Sequence, residues 1–191
     1  VYKSGDDGEK WEKDHRFNLG WEPAFEVKKS SFVKADDIRN QLYVGGSFGL
    51  MIYKNGSVTI PSSVPQFFGN SGKFGEIIVT DSVLYASYRY SVYSPGDIIV
   101  SDDDGDTWEV HGNTKKFFNT LAAAPNGKIY GVEAGNLYVS DSTASNFVDL
   151  SAPLSHLSVI TDVIVLSSGQ VIITTFGDGV LTSSDEGTKW T

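Results

Sequence analysis

Three copies of one octapeptide, a repeat period of 39 to 49 residues and the lack of any sustained helical period together predict an all-β chain of four-stranded antiparallel blades, a β-propeller. The copies are Ser4-Gly5-Asp6-Asp7-Gly8-Glu9-Lys10-Trp11, Ser101-Asp102-Asp103-Asp104-Gly105-Asp106-Thr107-Trp108 and Ser183-Ser184-Asp185-Glu186-Gly187-Thr188-Lys189-Trp190. All read S-x-D-x-G-x-x-W. Degenerate copies occupy 53–60, where Asn55 replaces the Asp, and 140–147, which keeps Ser140 and an aromatic, Phe147. The five starts at 4, 53, 101, 140 and 183 lie 49, 48, 39 and 43 residues apart.

The strands of each blade follow in order. The first is apolar enough to be a buried inner strand: Phe32–Ala35, Glu76–Val79, Thr120–Ala123 and Asp162–Leu166. Turn formers such as Asp81-Ser82, Pro125-Asn126-Gly127 and Ser167-Ser168-Gly169 introduce the second, at Leu42–Val44, Leu84–Ala86, Ile129–Gly131 and Val171–Ile173. A Gly followed by an apolar run gives the third, at 49–52, 96–100, 135–139 and 179–182, and the box aromatic leads into the fourth. Counted this way, residues 1–191 are a single propeller region of about four and a half blades, an excerpt of a longer propeller or part of a composite ring. The start, Val1-Tyr2-Lys3-Ser4, carries neither an initiator Met nor a signal peptide, as an excerpt would.

The box is a turn with a mechanism. Its Asp can accept backbone N–H bonds from the residues that follow, its Gly supplies a positive φ, and its Ser ties the other limb. The Trp then reaches the outer strand and wedges against a neighbouring sheet, so Trp11, Trp108 and Trp190 are expected to be mostly buried. The degenerate boxes are expected to keep the hairpin and lose the carboxylate lock. This spacing resembles the Asp-box, or BNR, repeat of sialidase-superfamily β-propellers. The resemblance implies that the boxes lie away from the ligand face, and it spans enzymes, receptors and assembly factors alike.

With 15 Lys plus Arg against 24 Asp plus Glu, the net charge is −9, the wrong sign for binding nucleic acid. There is no Cys, hence no disulfide framework and no thiol nucleophile. No apolar run approaches a membrane span. The acidic stretch 102–106 fails the calcium-loop register, which would need an acidic residue at 100 and Glu at 111, where Val100 and His111 stand. His15, His111 and His156 lack metal-ligand spacing and read as surface or loop residues. Asn55-Gly56-Ser57 is both a glycosylation sequon and a hairpin turn. No metal and no cofactor are expected. Only Arg16, Arg39 and Arg89 are present, too few for the arginine triad that the sialidase resemblance implies, and Arg39 falls on the box side.

The ligand face is expected opposite the boxes, where the loops between second and third strands meet the connections between blades. Two aromatic and charged stretches fall there: Ser87–Tyr93, and His15-Arg16-Phe17 with Trp21, Glu22 and Phe25. The expected ligand-binding residues are Tyr88, Arg89, Tyr90, Glu133 and Asp178, with Tyr88 and Tyr90 alternatively packing on the adjacent blade. The function expected is a non-catalytic recognition or scaffold propeller, extracellular or on a cell surface, that binds a glycan or a protein partner. The alternative is a fragment of a sialidase-like or other glycoside hydrolase, which would need two convergent carboxylates, one with a perturbed pKa.

Overall fold

The structure, a computed structural model, describes residues 2–13, 30–46, 49–61, 63, 73–91, 93–112, 114–141, 143–151, 154 and 159–191. These hold seventeen strands in chain order and no helix. A two-stranded hairpin, β1 (Tyr2–Lys3) with β2 (Glu12–Lys13), precedes blade I, formed by β3 (Ser30–Asp36), β4 (Gln41–Gly46), β5 (Gly49–Lys54) and β6 (Ser57–Thr59). Blade II comprises β7 (Lys73–Val79), β8 (Leu84–Arg89), β9 (Gly96–Ser101) and β10 (Glu109–His111). Blade III comprises β11 (Thr120–Ala123), β12 (Ile129–Glu133), β13 (Asn136–Ser140) and β14 (Val148–Asp149). Blade IV has β15 (Val159–Val165), β16 (Val171–Phe176) and β17 (Gly179–Ser183), whose edge takes reciprocal bonds between Thr182 and Thr191 at 2.8 and 3.0 Å. Each sheet is an antiparallel meander, and inner strands of consecutive blades are neighbours. This is a partial β-propeller.

Three inner strands begin earlier than the sequence expects, for one physical reason. The register shifts between Ser30 and Phe32, between Phe74 and Ile77, and between Ile160 and Asp162. A bulge interrupts the period-two alternation, so only the stretch beyond it reads as a strand.

The core lies between blades. Phe32, Tyr43, Leu50 and Ile52 of blade I pack with Phe74, Ile77, Leu84 and Trp108 of blade II. Ile78 and Ile98 meet Phe118, Leu121 and Ile129 across the II–III boundary, and Tyr130, Val132 and Leu137 meet Ile160, Val163 and Ile173 across III–IV. The box aromatics of blades II, III and IV therefore belong to the cluster shared with the preceding blade: Trp108 with blade I, Phe147 with blade II and Trp190 with blade III.

The three intact boxes have one geometry. The Ser hydroxyl donates to the Asp carboxylate at 2.8 to 2.9 Å and accepts from the Gly N–H at 2.8 to 2.9 Å. The carboxylates of Asp6, Asp103 and Asp185 accept from the N–H of Lys10, Thr107 and Lys189 at 2.8 to 2.9 Å. Two successive residues have positive φ, for instance Asp104 at 60° and Gly105 at 87°. At Gly105 a Cβ would also stand 2.8 Å from Ile52 Cδ1, so both backbone and space demand glycine.

Two expectations about these boxes need correction. Trp108 is buried and Trp190 half-buried, but Trp11 is 63% exposed. Its box sits on a lone hairpin with no described sheet beside it to wedge against. The degenerate box at 140 loses the four-residue lock but keeps a carboxylate contact of another kind: Asp141 accepts from the Thr143 N–H at 3.0 Å and its hydroxyl at 2.6 Å, two residues on, while Ser140 donates to the Asp141 carbonyl at 2.6 Å. Only the turn at 53 loses the carboxylate, becoming a two-residue turn with positive φ at Asn55 and Gly56.

The box carboxylates give the fold an acid sensitivity of definite sign. Hydrogen bonds to Thr107, side chain first and then backbone, hold Asp103 below the ordinary 3.8, and the Lys10 and Lys189 N–H groups do the same for Asp6 and Asp185. The contribution is complete above the ordinary value and is lost as pH falls through the lowered ones. Urea unfolding followed as a function of pH should show stability falling below about pH 4, with a shallower fall in Asp103→Asn. An unchanged slope in that variant would remove Asp103 from the cause.

Candidate functional site

Register defines two faces. Val79, Leu84 and Ser101 align at one end of blade II, with the box and the inner turn 80–83. Lys73, Arg89 and Gly96 align at the other, which carries the loop 90–95.

On the box face a cation of one blade repeatedly grips the box of the next. Arg39, in the turn between β3 and β4, donates to Asp36 at 3.0 Å, to the Thr80 and Asp81 carbonyls at 3.0 and 3.1 Å, and to Asp104 at 2.6 Å. Lys128, in the turn between β11 and β12, pairs with Glu186, the fourth box residue like Asp104. Lys54 pairs with Asp106. A cleft of about 520 Å³ opens on this face among the inner turns of blades II to IV, lined by Val79, Val83, Ala123, Pro125, Ile129 and Leu166. Among its lining residues no two carboxylates converge.

On the loop face the predicted residues divide. Tyr88 is half-buried, its ring 6.2 Å from that of Phe74, and it packs against the I–II core. Tyr90 is 60% exposed. Glu133 closes β12 and accepts from the Phe117 N–H at 2.8 Å and from Lys116 at 3.4 Å. Asp178 lies exposed in the turn after β16, its N–H donating to Thr175 Oγ1 at 3.1 Å. Arg89 lays its guanidinium 4.6 Å from the centroid of Phe117, whose backbone Glu133 holds. Arg89, Phe117 and Glu133 thus meet. The stretch 15–25 and His156 lie outside the described residues. His111, expected at the surface or in a loop, closes β10 and is half-buried.

The connections between blades that are expected on this face also carry Lys73 and Phe117. Lys73 is the register partner of Arg89 across β7 and β8, and its Nζ lies 4.8 Å from the same Phe117 ring. Burial, and then the charge of Arg89, push the Lys73 ammonium below its ordinary value. Like charges directly across a strand pair repel. The connector that brings Phe117 is fitted tightly: a Cβ on Gly96 would lie 2.4 Å from Phe117 Cα, one on Gly75 would lie 1.9 Å from the Phe118 carbonyl, and the Phe118 N–H donates to Ser87 at 2.9 Å. Beside it, reciprocal bonds between Ser91 and Ser94 tie the loop that presents Tyr93, 95% exposed.

Among the described residues one carboxyl has a raised pKa. Burial lifts Glu76 on β7, and the charge of Asp162 adds to the effect while the Ile77 N–H opposes it. Asp162 itself is engaged by the Thr120 hydroxyl at 2.7 Å and the Val163 N–H at 2.8 Å.

No protein-family model matches the chain, and no curated protein matches it. Solved structures do. The xyloglucanase of family GH74 from Xanthomonas campestris superposes with a TM-score of 0.67 at 13% identity, over 86% of this chain and 30% of that one. YCF48 bound to D1 peptide gives 0.67 at 13%, over 100% and 60%. The extracellular domain of BT4673 from B. thetaiotaomicron gives 0.61 at 16%, over 87% and 22%. The chain spans between about a fifth and three fifths of these proteins' length. At such identities the likeness establishes the fold: the protein is a β-propeller segment, the fold of enzymes and of non-catalytic domains alike.

Proposed function

We propose that this propeller region, residues 1–191, is a non-catalytic recognition module that docks a protein partner on the face opposite its boxes, in an extracellular or cell-surface setting. The observation that carries the reading is the loop face of blades II and III: two cations gathered on Phe117, beside an exposed Tyr90 and a Tyr93 thrust outward on a hydrogen-bonded turn. Exposed aromatic and Arg side chains are typical anchors of protein interfaces. A neighbour of the same fold binds a peptide, and another is an extracellular domain. The three well-formed boxes support membership among Asp-box propellers. A glycan is the less favoured ligand, because this face is a rim with protruding rings and the cleft lies on the other side. Glu133, the rim carboxylate at this point, is occupied in holding backbone.

The glycoside-hydrolase reading retains one observation, the raised Glu76. Its partner carboxylate, Asp162, is taken up by structural hydrogen bonds.

The test is affinity capture from the source organism's extracellular fraction with wild type, with Tyr90→Ser/Tyr93→Ser on the loop face, and with Asp102→Ser on the box face. Retention of one defined protein by wild type and the box-face variant, and its loss in the loop-face variant, is the expected result. Loss in the box-face variant alone, or turnover of a glycoside abolished by Glu76→Gln, would overturn the proposal.

A further inference from the structure

From the geometry of the loop face we infer that Lys73 and Arg89 form a carboxylate-binding site for an acidic peptide segment of the partner, a deepening that rests on the recognition reading. The two cations are register partners on one face of the sheet, and both lie against the Phe117 ring. Arg89 Nε is buried and makes no hydrogen bond. Among the described residues neither side chain finds a carboxylate, in a chain that carries nine net negative charges and in which Arg39, Lys54, Lys116 and Lys128 all do. A pair of cations held together without a counterion is a repulsive arrangement, and a buried unsatisfied donor adds to its cost. A carboxylate placed between them relieves both. It accepts from Arg89 Nε and from Lys73 Nζ in charge-assisted bonds, where the Phe117 ring keeps water from one side.

Phe117 alone does not explain the arrangement. Stacking on a ring needs one cation, and the second brings repulsion without adding a hydrogen bond. The backbone that carries the ring is also fixed independently, through Gly96, Ser87 and Glu133. The ligand is assigned as peptide because the site is an open rim flanked by Tyr90 and Tyr93, which suits an extended segment with acidic side chains more than an enclosed sugar.

The experiment follows the Nε–Hε resonance of Arg89 by NMR while the protein is titrated with hexaglutamate, with hexaglutamine, and with an oligosaccharide of glucuronic acid. Hexaglutamate should shift this resonance, with an affinity that weakens as salt is added, and hexaglutamine should not. Lys73→Gln should weaken hexaglutamate binding about tenfold or more while its melting temperature stays equal to or above that of wild type, since a repulsion is removed. Lys10→Gln, on the box side, should leave binding unchanged. No shift at Arg89, or a Lys73→Gln variant that loses stability together with binding, overturns the inference. Tighter binding of the uronic oligosaccharide at Arg89 overturns the assignment to peptide. Should Arg89→Gln fail to fold, the wild-type resonance and Lys73→Gln still decide. Failure here leaves partner capture through Tyr90 and Tyr93 standing, and failure of capture leaves the Arg89 titration to be read by itself.

Discussion

Replacing Trp108 with Ala should cost about 3 to 5 kcal/mol, the loss seen when a large buried aromatic is truncated and its cavity persists. Trp108 is 4% exposed and packs with Phe32, Tyr43, Leu50 and Ile52 of the preceding blade. Its Nε1 donates to the Gly105 carbonyl at 3.0 Å and its own N–H to Ser63 at 2.9 Å, so the ring has little freedom to collapse. The same substitution at Trp11, which makes the equivalent bond to the Gly8 carbonyl but is mostly exposed, should cost less than about 1 kcal/mol. Urea denaturation of the two variants measures the difference. Similar losses at both would mean that the box turn, rather than burial between blades, is the source of the Trp contribution.

The second large effect is expected at Arg39. Its side chain is 8% exposed and joins the fully buried Asp36 carboxylate to blade II through two carbonyls and Asp104. Arg39→Met should cost about 3 to 5 kcal/mol, because a buried carboxylate loses its cation and the Thr80 and Asp81 carbonyls lose a donor. Coupling Arg39→Met with Asp36→Leu should recover only part, since Asp36 also accepts from the Ile38 and Arg39 N–H groups at 3.1 Å. The surface pair Lys128–Glu186, at the equivalent junction between blades III and IV, should contribute under about 1 kcal/mol. If Lys128→Met proves as costly as Arg39→Met, burial is not what makes the first contact strong.

The contrast between these junctions shows what a repeat reveals and what it leaves out. The S-x-D-x-G-x-x-W spacing predicts the turn down to its hydrogen bonds, since Ser, Asp and Gly act on backbone a few residues away. Burial of the Trp depends instead on whether a blade stands before it, which local sequence does not encode: Trp11 and Trp108 share a motif and differ in exposure. At 140 the carboxylate stands one residue early, at Asp141, and bonds only two residues on, a contact the motif spacing does not announce. The inner strands were shortened by bulges, which break the alternation that announces a strand.

For the candidate site, counting strands puts Arg89 and Glu133 on the loop face, because topology alone decides on which side a strand ends. Lys73 and Phe117 escaped notice because their meeting depends on a bulged register and on a connector packed over Gly96. One signal was available. Lys73 stands a few residues before the strand expected at Glu76–Val79 and Arg89 a few residues after the one expected at Leu84–Ala86, so hairpin pairing alone sets them near each other. Tyr88 illustrates the opposite difficulty: Tyr88 and Tyr90 share an aromatic stretch, but one packs against Phe74 and the other is exposed.

The recognition account is tested most directly by hydrogen–deuterium exchange on the protein with its captured partner bound. The account predicts protection confined to the loop face, over residues 73–74, 88–96 and 114–118, with the box turns at 101–108 and 183–190 unchanged. Protection centred on the box turns, or on the cleft lined by residues 79–83 and 123–127, would contradict it.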